Sequence, residues 1–321
     1  MMAVNSDKPD RWKADIATSV DFYNHWFMEF APRAYRDTRG EATKRVEAAL
    51  KSTDNLKDIN PGILMREPSI LAMLRMATAP PIARDRLTGL AGVSRGLVHS
   101  MEVDKIVPPR MMAGTVETEL RKIAQVIMRM ADRDIFQWLE TGNAPNDAEI
   151  IRASTIVADR LCGTLTDPIV RNAQEKRQLA LIKKWLESRG YSYVAAGSGL
   201  KFDSMKPREF AFHIGIPVRL EGGNKTVNIP VDTAIMLRDS NPGRMPLLIE
   251  AKSAGDYTNP NKRRKEEAMK ISQLKNTYGS SIRYILFLCG YFDSGYLGYE
   301  AAEGIDWVWE HRIDDLKEFG V

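Results

Sequence analysis

Apolar residues recur at spacings of three and four along nearly the whole chain up to about residue 165, with Pro and Gly falling between the periodic segments. This pattern predicts an all-helical first half. Its first helix aligns Trp12, Ile16, Val20, Tyr23 and Phe27 on one face and should end before Pro32. Large apolar residues at helical spacing usually bury, so this stripe reads as core rather than as a base-stacking surface. Further helices are predicted near residues 33–51, 68–77, 83–102 and 115–140, with Met111, Met112, Met128 and Met130 as flexible fillers between them.

The texture changes at about residue 167. Asp167 and Pro168 have the chemistry of an N-cap and a first helical residue, opening a long helix that stops at Gly190. Strand-like runs follow: YSYV from 191, EFAFHIGIPVRL from 209, KTVNIPVDTAIML from 225, MPLLIEAK from 245 and RYILFLC from 283, with a helix over about 261–278 between the last two. The expected fold class is α/β, and within it α+β: a helical domain over residues 1–165, then a mixed sheet flanked by helices over 166–321.

The 321 residues, 44% hydrophobic and 27% charged, are those of a globular chain with room for two cores. No apolar run reaches the roughly 18 residues of a membrane span, and the first residues lack the apolar stretch of a signal peptide, so a cytoplasmic protein is expected. Cys162 and Cys289 lie too far apart in sequence for a CxxC pair and read as buried apolar residues. The four histidines, His25, His99, His213 and His311, show no metal-ligand spacing, and GSGL at 197 lacks the residues of a phosphate loop. A net charge of +4 permits a nucleic-acid partner without requiring one.

The chemistry concentrates in two successive strands. IPVDTAIML carries Asp232, and LLIEAKS carries Glu250 and Lys252, which project from the same strand face because they are two apart. The turn signal NPGRMP between them reverses the chain and brings Asp232 to the same cluster. A Glu and a Lys two apart are common on solvated strands, but here they interrupt an apolar run, where charge is costly without a partner or metal. Two converging carboxylates suit Mg²⁺, with Asp232, Glu250 and the carbonyl of Ala251 as candidate ligands, and an ammonium such as Lys252 can position the attacking water. Asp203 and Asp239 are weaker rivals for the first acid.

These residues resemble the PD-(D/E)xK nuclease superfamily: Asp232, then Glu250-Ala251-Lys252 after a hairpin, preceded by a long helix and followed by a helix and a strand. Val231 separates Pro230 from Asp232, a departure from the PD pair. More narrowly, DRWKADIATSVDFYNHWFMEFAPRAYRDTR near the start and LLIEAK in the core resemble the XamI family of type II restriction endonucleases. The resemblance implies a restriction-endonuclease-like core, an auxiliary acid on the helix before the sheet, for which Glu175 is best placed, and Mg²⁺-dependent cleavage of double-stranded DNA to 5′-phosphate and 3′-hydroxyl ends. It further implies a short palindromic site, GTCGAC by association with the family, a homodimer, and a cognate methyltransferase.

Two segments are candidate DNA contacts. Residues 83–105 have helix-turn-helix spacing: Leu87, Leu90 and Ala91 face inward, Gly92 makes the turn, Val93, Leu97, Val98 and Met101 bury a second helix, and Arg95, His99 and Ser100 remain exposed. An ordinary helical corner has the same pattern. The stretch after Lys252 offers Tyr257, Asn259, Lys262, Arg263 and Arg264, although Glu266 and Glu267 would balance these charges on a solvated helix. The alternatives are a structure-specific repair nuclease and a helical DNA-binding regulator with an inactive nuclease-like domain.

Overall fold

The computed structural model describes residues 3–195, 199–219, 225–241 and 243–321, apart from the side chains of residues 259 and 261–263. The chain divides into two compact units, Ala31–Val170 and a second made of Met1–Phe30 with Arg171–Val321. The thirty N-terminal residues, expected with the helical domain, therefore belong with the sheet.

Helices α1 (Pro9–Ser52) and α8 (Asp147–Glu187) each begin in one unit and end in the other. Both run through a proline, Pro32 and Pro168, at which the sequence pattern predicted a boundary. A proline removes one helical hydrogen bond, yet both helices run on through it. The true start of α8 is a capping box upstream: Asn146 accepts from the Glu149 amide at 3.0 Å and Glu149 accepts from the Asn146 amide at 2.8 Å.

The Ala31–Val170 unit is helical apart from one isolated bridge between Thr78 and Ala131. Between the ends of α1 and α8 lie α2 (Pro61–Arg66), α3 (Leu71–Met76), α4 (Arg84–Ala91), α5 (Arg95–His99), α6 (Ala113–Met130) and α7 (Trp138–Thr141). Their core includes Leu64, Leu74, Leu97, Leu120, Ile123 and Phe136. A buried ion pair joins Arg75 to Glu102, with 2.7 Å between Nη2 and Oε2. The expected turn is present: Gly92 takes the left-handed conformation at φ 58° and Ser94 caps α5 by accepting from the Leu97 amide. Leu90 and Met112, expected inside, are exposed because they fall on the outer faces of their turns.

The other unit is built on a six-stranded sheet in sequence order: β1 (Ser192–Tyr193), β2 (Glu209–Arg219), β3 (Thr226–Ile235), β4 (Leu247–Ala254), β5 (Tyr284–Gly290) and β6 (Asp306–Trp309). β2, β3 and β4 are antiparallel neighbours, whereas β1 with β2, β4 with β5 and β5 with β6 run parallel. The sheet is thus mixed, and the parallel steps from β4 to β5 and from β5 to β6 each cross over through an α-helix. β5 is buried along its whole length, which explains why YILFLCG is apolar on both strand faces. On one sheet face, Leu248, Leu286 and Trp307 pack with Ile271 and Leu274 of α9 (Thr258–Tyr278) and Tyr296 and Leu297 of α10 (Ser294–Ala302). On the other, Ile249, Phe287 and Val308 meet Leu179, Ile182 and Leu186 of α8. α10 and β6 went unpredicted.

The start of α1 closes the end of the sheet. Trp12 meets Trp307 edge-on at 5.5 Å, Ser19 Oγ accepts from the Gly290 amide at 2.8 Å, and Tyr23 stands edge-on to Tyr291. Trp12, Ile16 and Tyr23 are thus core, as expected, but Phe27 is exposed and stacks on Tyr23. No helix among the described residues is long and apolar enough to cross a membrane. At Gly290, φ is 100° and a Cβ would lie 2.1 Å from the Ala254 carbonyl oxygen. Gly290→Ala is therefore expected to lower stability by about 2 kcal/mol or more, read from urea unfolding; an unchanged midpoint would show that β4 and β5 can separate there without cost.

Candidate active site

β3 and β4 pair over only three positions, Ile235 with Leu247, Ala234 with Leu248 and Thr233 with Ile249, while β4 stays paired with β5 up to Ala254. Beyond Thr233 the two strands fork. The Ala251 amide, on the open side of β4, donates instead to Asp232 Oδ2 at 2.8 Å, so a side chain substitutes for the missing ladder partner. The same point is irregular in β2. His213, flanked by the pairs Phe212–Thr233 and Ile214–Val231, has φ 53°, a conformation rare for a residue with a side chain. Strand alternation slips there: Ala211 and Ile214 both face one core, as do Val231 and Ala234. His213 and Asp232 are the residues in the slip.

Glu250 is 6% exposed, in the interior of the sheet. Its Oε1 receives two ammonium groups, Lys252 Nζ at 3.2 Å and Lys270 Nζ of α9 at 2.7 Å. Its Oε2 is buried with no hydrogen-bond partner. Lys252 also lies 3.3 Å from Glu267 Oε1. Burial, and next the Glu250 charge, raise the Asp232 carboxyl to about 6, against the Ala251 amide and Lys252, which lower it. Burial pulls the Lys252 ammonium down, but Glu250 and Glu267 outweigh it and the net shift is upward, so Lys252 is charged at neutral pH.

Asp232, Glu250, Ala251 and Lys252 thus lie together, as their spacing predicts. Glu175, on α8, joins them: ligand atoms of Glu175, His213 and Asp232 all lie within 4.8 Å of one another, with His213 Nε2 at 3.7 Å from Glu175 Oε1. His213 carries no local signal of its place here, because its proximity depends on the pairing of β2 with β3. Glu267, expected to balance the basic cluster on a solvated helix, is 2% exposed and faces inward, and Lys270, one helical turn later, joins it without any local signal. Asp203, near Tyr278, and Asp239, near Tyr191, belong to other surroundings.

Glu175, His213 and Asp232 present ligand atoms close enough to share one cation, and Glu250 next to this group keeps one carboxylate oxygen without a partner, a donor set that a divalent cation fits. Among the proposed DNA contacts, Arg95, His99 and Ser100 line a cleft of about 590 Å³ with Arg84; Arg95 pairs with Asp85 at 3.2 Å. Tyr257 is exposed and edge-on to Tyr291, and the Arg264 guanidinium lies over the Tyr299 ring at 4.6 Å. The side chains of Asn259, Lys262 and Arg263 lie outside the described residues.

Over residues 54–309 the chain matches the family of the XamI restriction endonuclease. It is 52% identical to the type II restriction enzyme SalI of Streptomyces albus G over 317 residues, 99% of each chain. It is 27% identical to the type II restriction enzyme XamI of Xanthomonas campestris pv. amaranthicola over 129 residues, 39% of this chain and 41% of that one. A solved structure, protein VC1899 from Vibrio cholerae, aligns with 80% of this chain, which spans 55% of that protein, at 11% identity and a TM-score of 0.28, a likeness that carries no argument about the fold. The family match and the 52% identity to SalI over nearly the whole chain define a restriction endonuclease. The chain belongs to the XamI restriction endonuclease family.

The Asp232 shift has a consequence for stability. The carboxyl titrates near 6 in the fold and at ~3.9 in an unfolded chain, so the fold disfavours its ionised form. The resulting penalty is absent below the unfolded value, grows as pH rises through about 6, and is complete above it. Asp232→Asn is therefore expected to stabilise the protein in EDTA by about 1 to 2 kcal/mol at about pH 8 and to change little at about pH 4, measured by urea unfolding at both. Destabilisation at the higher pH would show that the carboxylate is not held against its own ionisation.

Proposed function

We propose that the protein is a type II restriction endonuclease of PD-(D/E)xK mechanism that uses Mg²⁺ to cut both strands of a short palindromic DNA site, leaving 5′-phosphate and 3′-hydroxyl ends. The observation that carries this reading is the buried Glu250, with one oxygen on two lysines and the other unpartnered, beside Asp232 at the fork of β3 and β4. Charge in a sheet interior is expensive, and here it converges with the residue types that phosphodiester hydrolysis needs.

Asp232, Glu250 and the Ala251 carbonyl would hold Mg²⁺, with Glu175 as an auxiliary acid. When bound, the cation polarises the scissile phosphate and lowers the pKa of water. The Ala251 amide fixes the orientation of Asp232. Lys252, held charged by its two carboxylates, orients the attacking water and offsets negative charge that builds on the phosphate oxygens. The water oxygen bonds to phosphorus in line with the P–O3′ bond and gives up a proton to solvent, the P–O3′ bond breaks, and the departing 3′-oxygen takes a proton from solvent to become the hydroxyl, leaving the new oxygen on the 5′-phosphate.

Recognition is assigned to the helical segment 83–105, through Arg95, His99 and Ser100, with Tyr257, Asn259, Lys262, Arg263 and Arg264 after the catalytic strand. Arg95 and Asp85 are both strongly exposed, so their ion pair is weak and the arginine is free to exchange it for phosphate. A homodimer would match the two-fold symmetry of a palindrome, with GTCGAC the proposed site and a cognate methyltransferase protecting it in a cytoplasmic restriction system.

Plasmid carrying GTCGAC should be cut to discrete fragments with Mg²⁺ and remain intact in EDTA. Asp232→Ala and Lys252→Ala should each slow cutting by about 10²- to 10⁴-fold. Cleavage confined to branched or damaged DNA would replace this reading by a repair nuclease, and binding without cleavage by a regulator.

A further inference from the structure

α9 brings Glu267 and Lys270 to the catalytic strand one helical turn apart, and each pairs with the oppositely charged catalytic side chain: Glu267 with Lys252, Lys270 with Glu250. The Glu267 carboxylate is fixed at both ends. Oε1 meets the Lys252 ammonium at 3.3 Å, and Oε2 accepts from the Tyr296 hydroxyl of α10 at 2.8 Å. Tyr296 is itself 1% exposed. Beside Glu267 lies Glu300, 0% exposed, whose two carboxyl oxygens have no donor. Two touching buried carboxylates cannot both ionise; burial, and next the Glu267 charge, raise the Glu300 carboxyl to about 8. At neutral pH Glu300 therefore keeps its proton.

This arrangement is an uneconomical way to hold α9 against the sheet. Apolar residues of the same volume would pack at least as stably as a buried ion pair. Among the described residues, the cation that Glu267 reaches is Lys252. A lysine has four rotatable bonds, and with Glu250 as its sole carboxylate partner its ammonium would settle on the carboxylate proposed to hold the metal. Glu267 draws it the other way.

We propose that Glu267 is a positioning residue for DNA cleavage, one that holds the Lys252 ammonium between two carboxylates, while Tyr296 and Glu300 hold Glu267. The inference rests on Lys252 acting in cleavage. It predicts that the charge of Glu267 matters to turnover and not to DNA binding.

The test uses full-length protein and a duplex carrying GTCGAC, with single-turnover cleavage in Mg²⁺, affinity for the same duplex in Ca²⁺, and Tm. Glu267→Gln keeps the shape and an acceptor for Tyr296 but removes the charge. It should slow single-turnover cleavage by about 30-fold or more, with affinity within about threefold of wild type and Tm no lower. Tyr296→Phe, which keeps the charge and frees its orientation, should slow cleavage by about three- to tenfold with affinity likewise retained. Wild-type rates in Glu267→Gln overturn the inference, as does a rate loss matched by equal losses of affinity and Tm. Should Glu267→Gln fail to fold, Tyr296→Phe decides, a wild-type rate again overturning it. If wild type itself leaves the duplex uncut under Mg²⁺, the cleavage reading falls and the inference falls with it, a result distinct from normal cleavage by the variants.

Discussion

A carboxylate in the interior of a sheet costs several kcal/mol unless opposite charge and hydrogen bonds surround it, and Glu250 is such a carboxylate. Much of the architecture around β4 meets this requirement. Lys252, two residues along the strand, and Lys270, on the crossover helix α9, both reach its Oε1. Lys252 in turn is a charge with little exposure, and Glu267 balances it; Glu267 is held by Tyr296 and by a protonated Glu300. One buried charge thus propagates into a chain of alternating charges that ties β4 to α9 and α10. The compensation stops at Glu250 Oε2, which has no hydrogen-bond partner.

The fork between β3 and β4 brings Asp232 beside this charge. Had the ladder continued past Thr233 and Ile249, the Ala251 amide would have been paired and Asp232 excluded. Instead both β2 and β3 slip out of alternation, His213 accepts a left-handed backbone costing about 1 kcal/mol or more, and three groups from β2, β3 and α8 come within 4.8 Å of one another. Regular pairing builds the core below the fork, and irregular pairing builds the site above it.

Legibility in the sequence followed range. The strands were readable because their apolar runs are local, and Glu250 with Lys252 because charge inside LLIEAKS conflicts with its surroundings. Asp232 was readable through the strand that carries it. Pro32 and Pro168 signal local termination, yet both helices run through them, and the start of α8 is carried instead by the capping box of Asn146 and Glu149. α10 and β6 were missed because SGYLGYEAA and DWVW are short and carry no alternation of their own. His213, Glu267 and Lys270 could not be assigned from local pattern, since a histidine on a strand and a Glu and a Lys in KEEAMK look like surface residues until the strand register and the facing side of α9 are known.

The proposed role of the buried charge at the fork is to hold a divalent cation beside Lys252. Crystals of the protein with Mn²⁺ and a GTCGAC duplex, measured for anomalous scattering, test it most directly. The account predicts a peak between Asp232 and the Glu250 Oε2, with the Lys252 ammonium next to the phosphodiester. A peak elsewhere, with Glu250 still paired on both lysines and its Oε2 still bare, would contradict it.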